Sequence, residues 1–427
     1  YDSSFERALR DLSNETKIVL IGLFVSLDQR KINYWSNNFD FNKTLKNLNK
    51  FDHFLTQIEG INIHFLHVKP PNPTSYKQII PLILVHGWPG NIYEFYKMIP
   101  MLIDPKAHSL DFDIAFEVIA PSIPGYGFSE QPHKKGYFNL KNSNLYQPMR
   151  ILLSQDRNIS ECCRNKNIRE HPSFNSIAAA RIFNQLMTER LKFKKYLAQG
   201  GDWGSLIVSN LGQYYSSQLL AIHLNMAFIS PFDSFKHFIL SFIGCYKPSW
   251  VFSDPEHFNN FSIKAKALEL LQESGYMHIQ ATKPNTIGVG LNDSPIGLLA
   301  YILEKFSTWT NPSFRSLPDG GLLKKYSKDD LLTIISIYWF QSNILSSQRF
   351  YKENFSYKSI QLSSKYVNIP TGYAAFPFDL GGITPKELMK LNYNLTQMTI
   401  FNDGGHFAAL ELPKELAKDI LNFAKNF

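Results

Sequence analysis

The chain has 427 residues, a formal net charge of +8 and an isoelectric point near 9.0, so it can bury a large core within one domain or a domain that carries an insertion. Its basic residues are scattered and accompany no nucleic-acid-binding motif, so we expect no nucleic-acid partner. Cys162, Cys163 and Cys245 form neither a disulfide framework nor a metal-ligand spacing, which excludes a small disulfide-stapled or zinc-finger class of protein.

Residues 1–60 are predicted to form a helical and irregular N-terminal extension. Within it, the run IVLIGLFVSL at 18–27 is apolar over only ten residues. A membrane-spanning helix needs about 20 residues, and the run lacks the cleavage-site pattern of a signal peptide. We therefore expect a buried segment here and no transmembrane anchor in this chain.

Residues 61–229 and 355–427 are predicted to form an α/β core, because short apolar or alternating segments follow one another between helical segments. Residues 137–174 are rich in Asn, Ser, Arg and Lys without periodicity, which predicts an irregular insertion. The interval 230–354 is helical in pattern and predicts a cap. Strands are expected at 61–68, 79–85, 116–120, 196–198, 219–226, 367–374 and 395–400, and helices at 175–182 and 412–427.

The motif GGDWGS at 200–205 lies between a predicted strand and a predicted helix. A nucleophile flanked by glycines at such a turn is typical of the α/β-hydrolase fold, in which the nucleophile occupies a strained backbone conformation. Here Asp202 takes the place that serine has in an esterase. A carboxylate attacks without first losing a proton, so the motif predicts displacement at an alkyl carbon and excludes a serine esterase.

His406 lies in the motif DGGHF at 403–407, directly after the last predicted strand. The order nucleophile, acid, histidine of α/β-hydrolases makes it the candidate general base. Asp379 follows the preceding strand and is the candidate acid that orients His406. Asp403 is the competing acid, but it lies only three residues from His406 and cannot easily reach the second ring nitrogen.

The motif HGWPG at 86–90 follows the apolar strand 79–85. In this fold, a backbone N–H group after that strand joins the N–H group of the residue after the nucleophile in an oxyanion hole. The predicted donors are therefore the backbone N–H groups of Trp88 and Trp203. An ordinary Gly-Pro turn is the alternative interpretation of this motif.

With these pieces in order, the chain resembles the microsomal-type epoxide hydrolases, the family that includes the insect juvenile hormone epoxide hydrolases. The resemblance extends from about Trp35 onward, and several blocks in the same order carry it. These blocks are KFDHF at 50–54, HGWPG at 86–90, GGDWGS at 200–205, SGYMHIQATKP at 274–284, FSTWTNP at 306–312, RFYKEN at 349–354 and GGHFAA at 404–409.

The resemblance implies a two-step covalent mechanism without a metal or an organic cofactor. Asp202 attacks an epoxide carbon and forms an alkyl ester, while Tyr276 and Tyr351, at the positions of the cap tyrosines of the family, donate a proton to the oxygen. His406, oriented by Asp379, then activates water to hydrolyse the ester. The implied partners are a small hydrophobic epoxide and water.

The chain departs from the family pattern in three places. The family mostly has glutamate where Asp379 stands, and Asp379 is one methylene shorter. Residues 137–174 have no counterpart in the family pattern. The membrane-spanning N-terminal segment of the family is not matched by residues 14–32, so membrane association and an endoplasmic reticulum location are implied by relatives alone.

Two alternatives stay open at this point. A haloalkane dehalogenase also uses an elbow aspartate followed by tryptophan, and Trp203 would then bind halide through its indole N–H. The blocks around Tyr276 and Tyr351 argue against that activity. A carrier of hydrophobic ligands could retain the pocket without catalysis, but the combination of Asp202, His406 and Asp379 argues against it. The natural substrate, juvenile hormone or xenobiotic epoxides, depends on pocket shape.

Overall fold

The computed structural model describes residues 34–35, 37–132, 174–258, 261–356, 359–360, 363 and 365–427, together with the backbone of 147–149. Within these ranges, nine strands form one sheet: β1 His53–Ile58, β2 Ile61–Val68, β3 Gln78–Val85, β4 Ile114–Pro121, β5 Gln147–Met149, β6 Tyr196–Gly200, β7 Leu219–Leu224, β8 Val367–Ala375 and β9 Tyr393–Ile400. Their order across the sheet is β5-β1-β2-β4-β3-β6-β7-β8-β9.

The sheet is parallel from β4 to β9 and antiparallel where β2, β1 and β5 extend it. Parallel strands are covered on both faces, and the run Leu82, Ile83, Leu84 and Val85 in β3 is accordingly fully buried. The apolar runs of the sequence therefore predicted the central strands correctly. A mostly parallel α/β sheet, the predicted fold class, is confirmed.

The α-helices have the following bounds: α1 Phe41–Leu48, α2 Ile99–Ile103, α3 Ser176–Gln185, α4 Trp203–Tyr214, α5 Phe235–Tyr246, α6 Ile263–Glu273, α7 Gly275–Thr282, α8 Pro284–Asp293, α9 Pro295–Thr308, α10 Leu322–Lys325, α11 Lys328–Gln341, α12 Ile344–Asn354, α13 Lys386–Asn392, α14 Ala408–Glu411 and α15 Pro413–Ala424. Helix α3 begins where the Asn175 side chain accepts a hydrogen bond from the Ala178 N–H at 3.1 Å.

Helix α4 lies directly behind the turn that ends β6, and it packs against β3, β6, β7 and β8. Its buried residues include Ile207, Val208 and Leu211, so the helix is anchored in the core along one side. A helix held in this way fixes the backbone at its first turn. The turn between β6 and α4 is consequently a rigid place for a reactive side chain.

The chain between β7 and β8 forms the helices α5 to α12, and the described part of 235–354 contains no strand. The prediction of a helical interval at 230–354 agrees with this. The separation into a core and a cap as two domains stays a prediction.

The prediction that 1–60 is helical and irregular is wrong at 53–58, where the chain forms β1. This strand pairs antiparallel with β2 through a tight turn at Glu59 and Gly60, whose φ angles are 51° and 81°. Two consecutive residues with positive φ are typical of a type I′ hairpin turn. The sequence signal for such a turn is Asn-Gly or Asp-Gly, and Glu-Gly does not provide it. The sheet therefore begins at 53 instead of 61.

The irregular insertion predicted at 137–174 is described only in small part. The backbone of 147–149 forms β5 at the edge of the sheet, antiparallel to β1, so the prediction is wrong for these residues. The rest of 137–173, including Cys162 and Cys163, lies outside the described residues. The buried segment predicted at 18–27 lies outside them as well.

Candidate active site

Asp202 occupies the turn between β6 and α4 in a strained backbone conformation, with φ 48° and ψ −131°. Residues other than glycine rarely adopt positive φ, and such strain costs on the order of 1–3 kcal/mol. The glycines on either side permit this turn. A Cβ atom at residue 200 would overlap the Gly204 backbone, and one at residue 204 would overlap the carbonyl of Val85. The motif at 200–204 is therefore required by close backbone contacts.

The two carboxylate oxygens of Asp202 have different surroundings. Oδ1 accepts a hydrogen bond from the backbone N–H of Trp88 at 2.7 Å. Oδ2 lies 3.6 Å from Nε2 of His406. Asp202 is 7% exposed. One oxygen is thus held by the backbone, while the other faces the histidine.

The ring of His406 contacts Asp379, the candidate acid. Its Nδ1 lies 2.6 Å from Oδ1 of Asp379, and its backbone N–H donates to the Trp309 carbonyl at 2.9 Å. Both side chains are nearly buried. The shorter aspartate therefore reaches the ring nitrogen that points away from Asp202.

The competing acid, Asp403, lies elsewhere. Its carboxylate forms an ion pair with Lys325 at 2.6 Å and is half exposed. It also accepts a hydrogen bond from the Gly404 N–H at 2.8 Å. Asp403 therefore shapes the loop before His406 and does not contact its ring.

The charges in this group are strongly coupled. Burial lowers the pKa of His406, but the Asp379 and Asp202 carboxylates outweigh it and raise the pKa from its usual 6.5 to about 9. Burial raises the pKa of Asp202, whereas His406 and the backbone N–H groups of Trp88 and Trp203 lower it. An imidazolium between two carboxylates is the arrangement that this geometry favours. Neutralising Asp202 would lower the pKa of His406.

Tyr276 on α7 and Tyr351 on α12 are brought over the elbow by the helical region. The Tyr276 ring stacks on Trp88 with centroids 5.3 Å apart, and the Tyr351 ring contacts Trp203 edge-on at 4.6 Å. The two tyrosine rings lie 5.9 Å apart. Burial, together with the Asp202 charge, raises the pKa of both phenols well above the usual 10, so both stay protonated at neutral pH.

Lys305 on α9 is a residue that the sequence analysis did not select. Its side chain is nearly buried and forms an ion pair with Glu304, and Nζ lies 4.4 Å from the centroid of the Tyr276 ring. A cation over an aromatic face is attracted by the ring electrons, and it stabilises negative charge on a phenol oxygen. The available signal was the charged pair Glu304 and Lys305 in the otherwise apolar stretch IGLLAYILEKF.

Glu94 and Gln199 are further polar residues that the sequence analysis missed. Both line a small cavity that also contacts Asp202, His406 and Asn225. Among the described residues, Oε1 of Gln199 has no hydrogen-bond partner, although the residue is 1% exposed. A polar cavity of this kind suits ordered water. The feature that could have identified Glu94 is a carboxylate within the apolar and aromatic segment Ile92–Phe95, which the structure buries.

Replacing Glu94 with glutamine should make the protein more stable at pH 8 than the wild type, by roughly 4 kcal/mol. Burial raises the pKa of Glu94 from 4.5 to about 8, although His406 lowers it. Because the pKa of Glu94 is higher in the folded state than in the unfolded state, its contribution to stability is fully present below about pH 4.5. This contribution is lost as the pH rises through about 8. Thermal unfolding of both proteins between pH 5 and 8 measures the difference.

The matched control for this prediction is Glu415→Gln, which changes an exposed glutamate on α15. Its unfolding temperature should follow that of the wild type across the same pH range. A constant offset between Glu94→Gln and the wild type at every pH would contradict the prediction, because a purely packing effect does not depend on pH.

A parallel sheet with a strained aspartate at a strand–helix turn and a His–Asp pair facing it defines the protein as an α/β-hydrolase with a carboxylate at the position of the nucleophile. Comparisons with known proteins identify the family within this class. Residues 11–95 match the family described as Epoxide hydrolase N terminus, and residues 80–278 match the alpha/beta hydrolase fold family. The chain therefore belongs to the epoxide hydrolase family.

The relatives are similar over most of their length. The chain is 46% identical over 399 residues to Epoxide hydrolase 1 of Sus scrofa, with 92% of this chain and 78% of that protein covered. It is 40% identical over 401 residues to the Juvenile hormone epoxide hydrolase of Bombyx mori, with 93% and 77% covered. The crystal structure of juvenile hormone epoxide hydrolase from that silkworm matches with a TM-score of 0.79 at 36% identity, covering 97% of this chain and 93% of the other. The predicted enzyme class is confirmed, and a haloalkane dehalogenase is not favoured.

Proposed function

We propose that the protein hydrolyses hydrophobic epoxides to diols through a covalent ester on Asp202. The observation that carries this proposal is the division of roles between the two carboxylate oxygens. The Trp88 N–H holds Oδ1, so Oδ2 is the oxygen that remains to attack, on the side that faces His406. Two protonated tyrosines lie over the same carboxylate.

In the first step, Oδ2 of Asp202 forms a bond to an epoxide carbon, and the bond from this carbon to the epoxide oxygen breaks. An alkoxide is a poor leaving group, so a proton from Tyr276 or Tyr351 must accompany ring opening. The ammonium of Lys305 over the Tyr276 ring stabilises the phenolate that forms. The products are a neutral ester and a hydroxyl group on the adjacent carbon.

Loss of the Asp202 charge prepares the second step. Asp202 is one of the groups that raise the pKa of His406, so ester formation lowers this pKa and the imidazolium releases its proton. That proton restores the tyrosine hydroxyl. The neutral imidazole, held at Nδ1 by Asp379, then presents Nε2 as a general base.

In the second step, His406 takes a proton from water, and the water oxygen attacks Cγ of the ester. The resulting oxyanion on Oδ1 is stabilised by the backbone N–H groups of Trp88 and Trp203. The bond between Cγ and Oδ2 breaks, and the diol oxygen takes the proton from His406. The carboxylic acid left on Asp202 then passes the second proton of the water to His406, which restores the carboxylate and the imidazolium. The cavity that Glu94 and Gln199 line is the proposed store for this water.

A substrate panel tests the activity. Purified protein should release diol from aromatic and long-chain aliphatic epoxides and should release no halide from chloroalkanes of the same shape. Halide release without diol would support the dehalogenase alternative, in which the indole N–H of Trp203 binds the leaving group. Ligand binding without any turnover would support the carrier alternative. Including a juvenile hormone in the panel addresses the natural substrate.

Removing both tyrosine hydroxyls, in Tyr276→Phe together with Tyr351→Phe, should slow ester formation by about 10²- to 10⁴-fold. Each single variant should lose less, because the other hydroxyl still donates. The rate is measured as protein mass gain in a His406→Gln background, in which the ester accumulates. Tyr301→Phe is the matched control, since its ring also contacts Trp88, at 5.9 Å. Ester formation at the wild-type rate in the double variant would contradict the proton-donor role.

The location in the cell is proposed from the resemblance alone: the endoplasmic reticulum or microsomal membrane. In the described part of the chain, no single helix is both long and apolar enough to cross a bilayer. The consecutive helices α8 and α9 together meet the length and composition criteria, but the chain bends by 119° between them. Fractionation of cells that express the chain tests this location.

A further inference from the structure

Helix α5 directs its large apolar side chains outward. The exposed side chains recur every three or four residues and therefore share one face of the helix. They are Phe235 (80% exposed), Phe238 (38%), Ile239 (36%), Phe242 (48%) and Tyr246 (74%). We call this set, together with the neighbouring Phe232 (77%) and Trp250 (75%), the aromatic patch.

The opposite face of α5 has the reverse character. Its buried residues are His237, Ser241 and Gly244. Neither Nε2 of His237 nor Oγ of Ser241 has a hydrogen-bond partner among the described residues. A surface helix of a protein in water places apolar residues inward and polar residues outward. The pattern of α5 is the inverse, so its outer face is built for an apolar environment.

The rings of the aromatic patch form a continuous row. Phe232 and Phe238 lie 6.3 Å apart, Phe238 and Phe242 lie 6.1 Å apart, and Phe242 and Tyr246 lie 5.2 Å apart. Contiguous exposed apolar surface of this kind is typical of protein-contacting or membrane-contacting surfaces. The neighbouring α6 adds Leu268 and Leu271, which are 53% and 73% exposed.

We propose that the aromatic patch docks on a phospholipid bilayer, with α5 lying in the plane of the interface. Its composition favours this occupant, because Phe enters the acyl region whereas Tyr and Trp prefer the head-group level. Charge complementarity supports it too. Lys236 and Lys247 are exposed at the two ends of α5 and can meet lipid phosphates, and Asp233 is the only acidic residue between 228 and 251.

The segment before the patch contacts the elbow. Phe228, four residues before Phe232, stacks on Trp203 with centroids 6.1 Å apart, and Trp203 directly follows Asp202. A protein docked through the patch would meet a lipophilic epoxide in the phase in which that substrate dissolves. This consequence rests on the proposed function, whereas the docking itself does not.

Vesicle binding of the full chain tests the docking. The double variant Phe235→Ser and Phe242→Ser should co-sediment with phosphatidylcholine–phosphatidylserine vesicles at least about tenfold more weakly than the wild type, because each buried phenyl ring contributes strongly to partitioning. The matched control is Val289→Ser with Leu323→Ser, which removes two exposed apolar side chains outside the patch and should bind as the wild type does. Vesicles of phosphatidylcholine alone should bind less, since Lys236 and Lys247 would lack anionic partners.

Measurements of activity and of oligomeric state distinguish the possible outcomes of the vesicle experiment. All variants should turn over a small water-soluble epoxide equally in the absence of vesicles, which shows that they are folded. If no variant turns over any epoxide, the proposed function fails while the vesicle result still stands. Equal vesicle binding by the wild type and the patch variant overturns the docking. So does a wild-type dimer, seen by light scattering, that the patch variant converts to a monomer, because the patch would then bind a second copy.

Discussion

Replacing Asp202 with alanine should abolish diol formation, with kcat reduced by at least about 10⁴-fold. In the proposed mechanism the carboxylate is the group that forms the bond to the epoxide, and the elbow presents no second nucleophile in its place. The fold should be unaffected, because the side chain projects from a turn whose shape depends on Gly200 and Gly204. Diol release under substrate saturation measures the loss, and circular dichroism with thermal unfolding checks the fold.

The matched control is Asp403→Ala, which removes another carboxylate from the same end of the sheet without contact to the His406 ring. It should retain diol formation at a rate near that of the wild type. A labelling experiment adds an independent test of the nucleophile. In a single turnover in heavy-oxygen water, the label should enter Asp202 and not the diol, because the bond between Cγ and Oδ2 is the one that breaks. Label in the first diol molecule, or full activity of Asp202→Ala, would refute the covalent mechanism.

Replacing His406 with glutamine should leave the protein alkylated on Asp202. In the proposed mechanism, ring opening needs the carboxylate and the tyrosines, whereas ester hydrolysis needs Nε2 of His406, which faces Asp202, as a base. We therefore expect one substrate equivalent to react rapidly, followed by turnover about 10³- to 10⁴-fold slower than that of the wild type. Mass spectrometry of the intact protein should show the retained substrate mass.

Two control variants show whether adduct formation is specific to the loss of His406. His278→Gln changes an exposed histidine on α7, the helix that carries Tyr276, and should leave no adduct at steady state. The double variant Asp202→Ala with His406→Gln should also remain unmodified, since it lacks the nucleophile. Adduct in this double variant would place alkylation on another residue, and its absence in His406→Gln alone would count against the ester route.

The elbow shows how much a local pattern can predict. Gly200 and Gly204 are required by contacts with backbone only a few residues away or with the adjacent strand, so the requirement is visible in the motif itself. The apolar runs of β3 and β4 likewise predict their own burial, because a strand covered on both faces has no polar side. The candidate triad followed from chain order on this fold. The structure brings Asp202, His406 and Asp379 together, and their catalytic roles stay predictions.

Other features depend on distant segments and left little local signal. Asp379 and Asp403 were both candidate acids for His406. Only the folded structure distinguishes them, because Asp403 pairs with Lys325 while Asp379 contacts the His406 ring. The sequence has 21 tyrosines, and only the resemblance to the family distinguished Tyr276 and Tyr351 as candidate proton donors. The hairpin at Glu59 and Gly60 was missed because its positive φ angles do not require the usual turn residues.

The amino-acid pattern alone therefore specified a parallel α/β sheet and a carboxylate at its elbow, since both follow from short-range sterics and burial. The candidate roles of His406 and Asp379 followed from chain order. Three properties required the folded chain: the coupling that raises the pKa of His406, the cavity beside Glu94 and the outward aromatic face of α5. The physical reason is the same for all three. Charge coupling, enclosed space and exposure are relations between segments far apart in the chain, and they exist only once packing has brought those segments together.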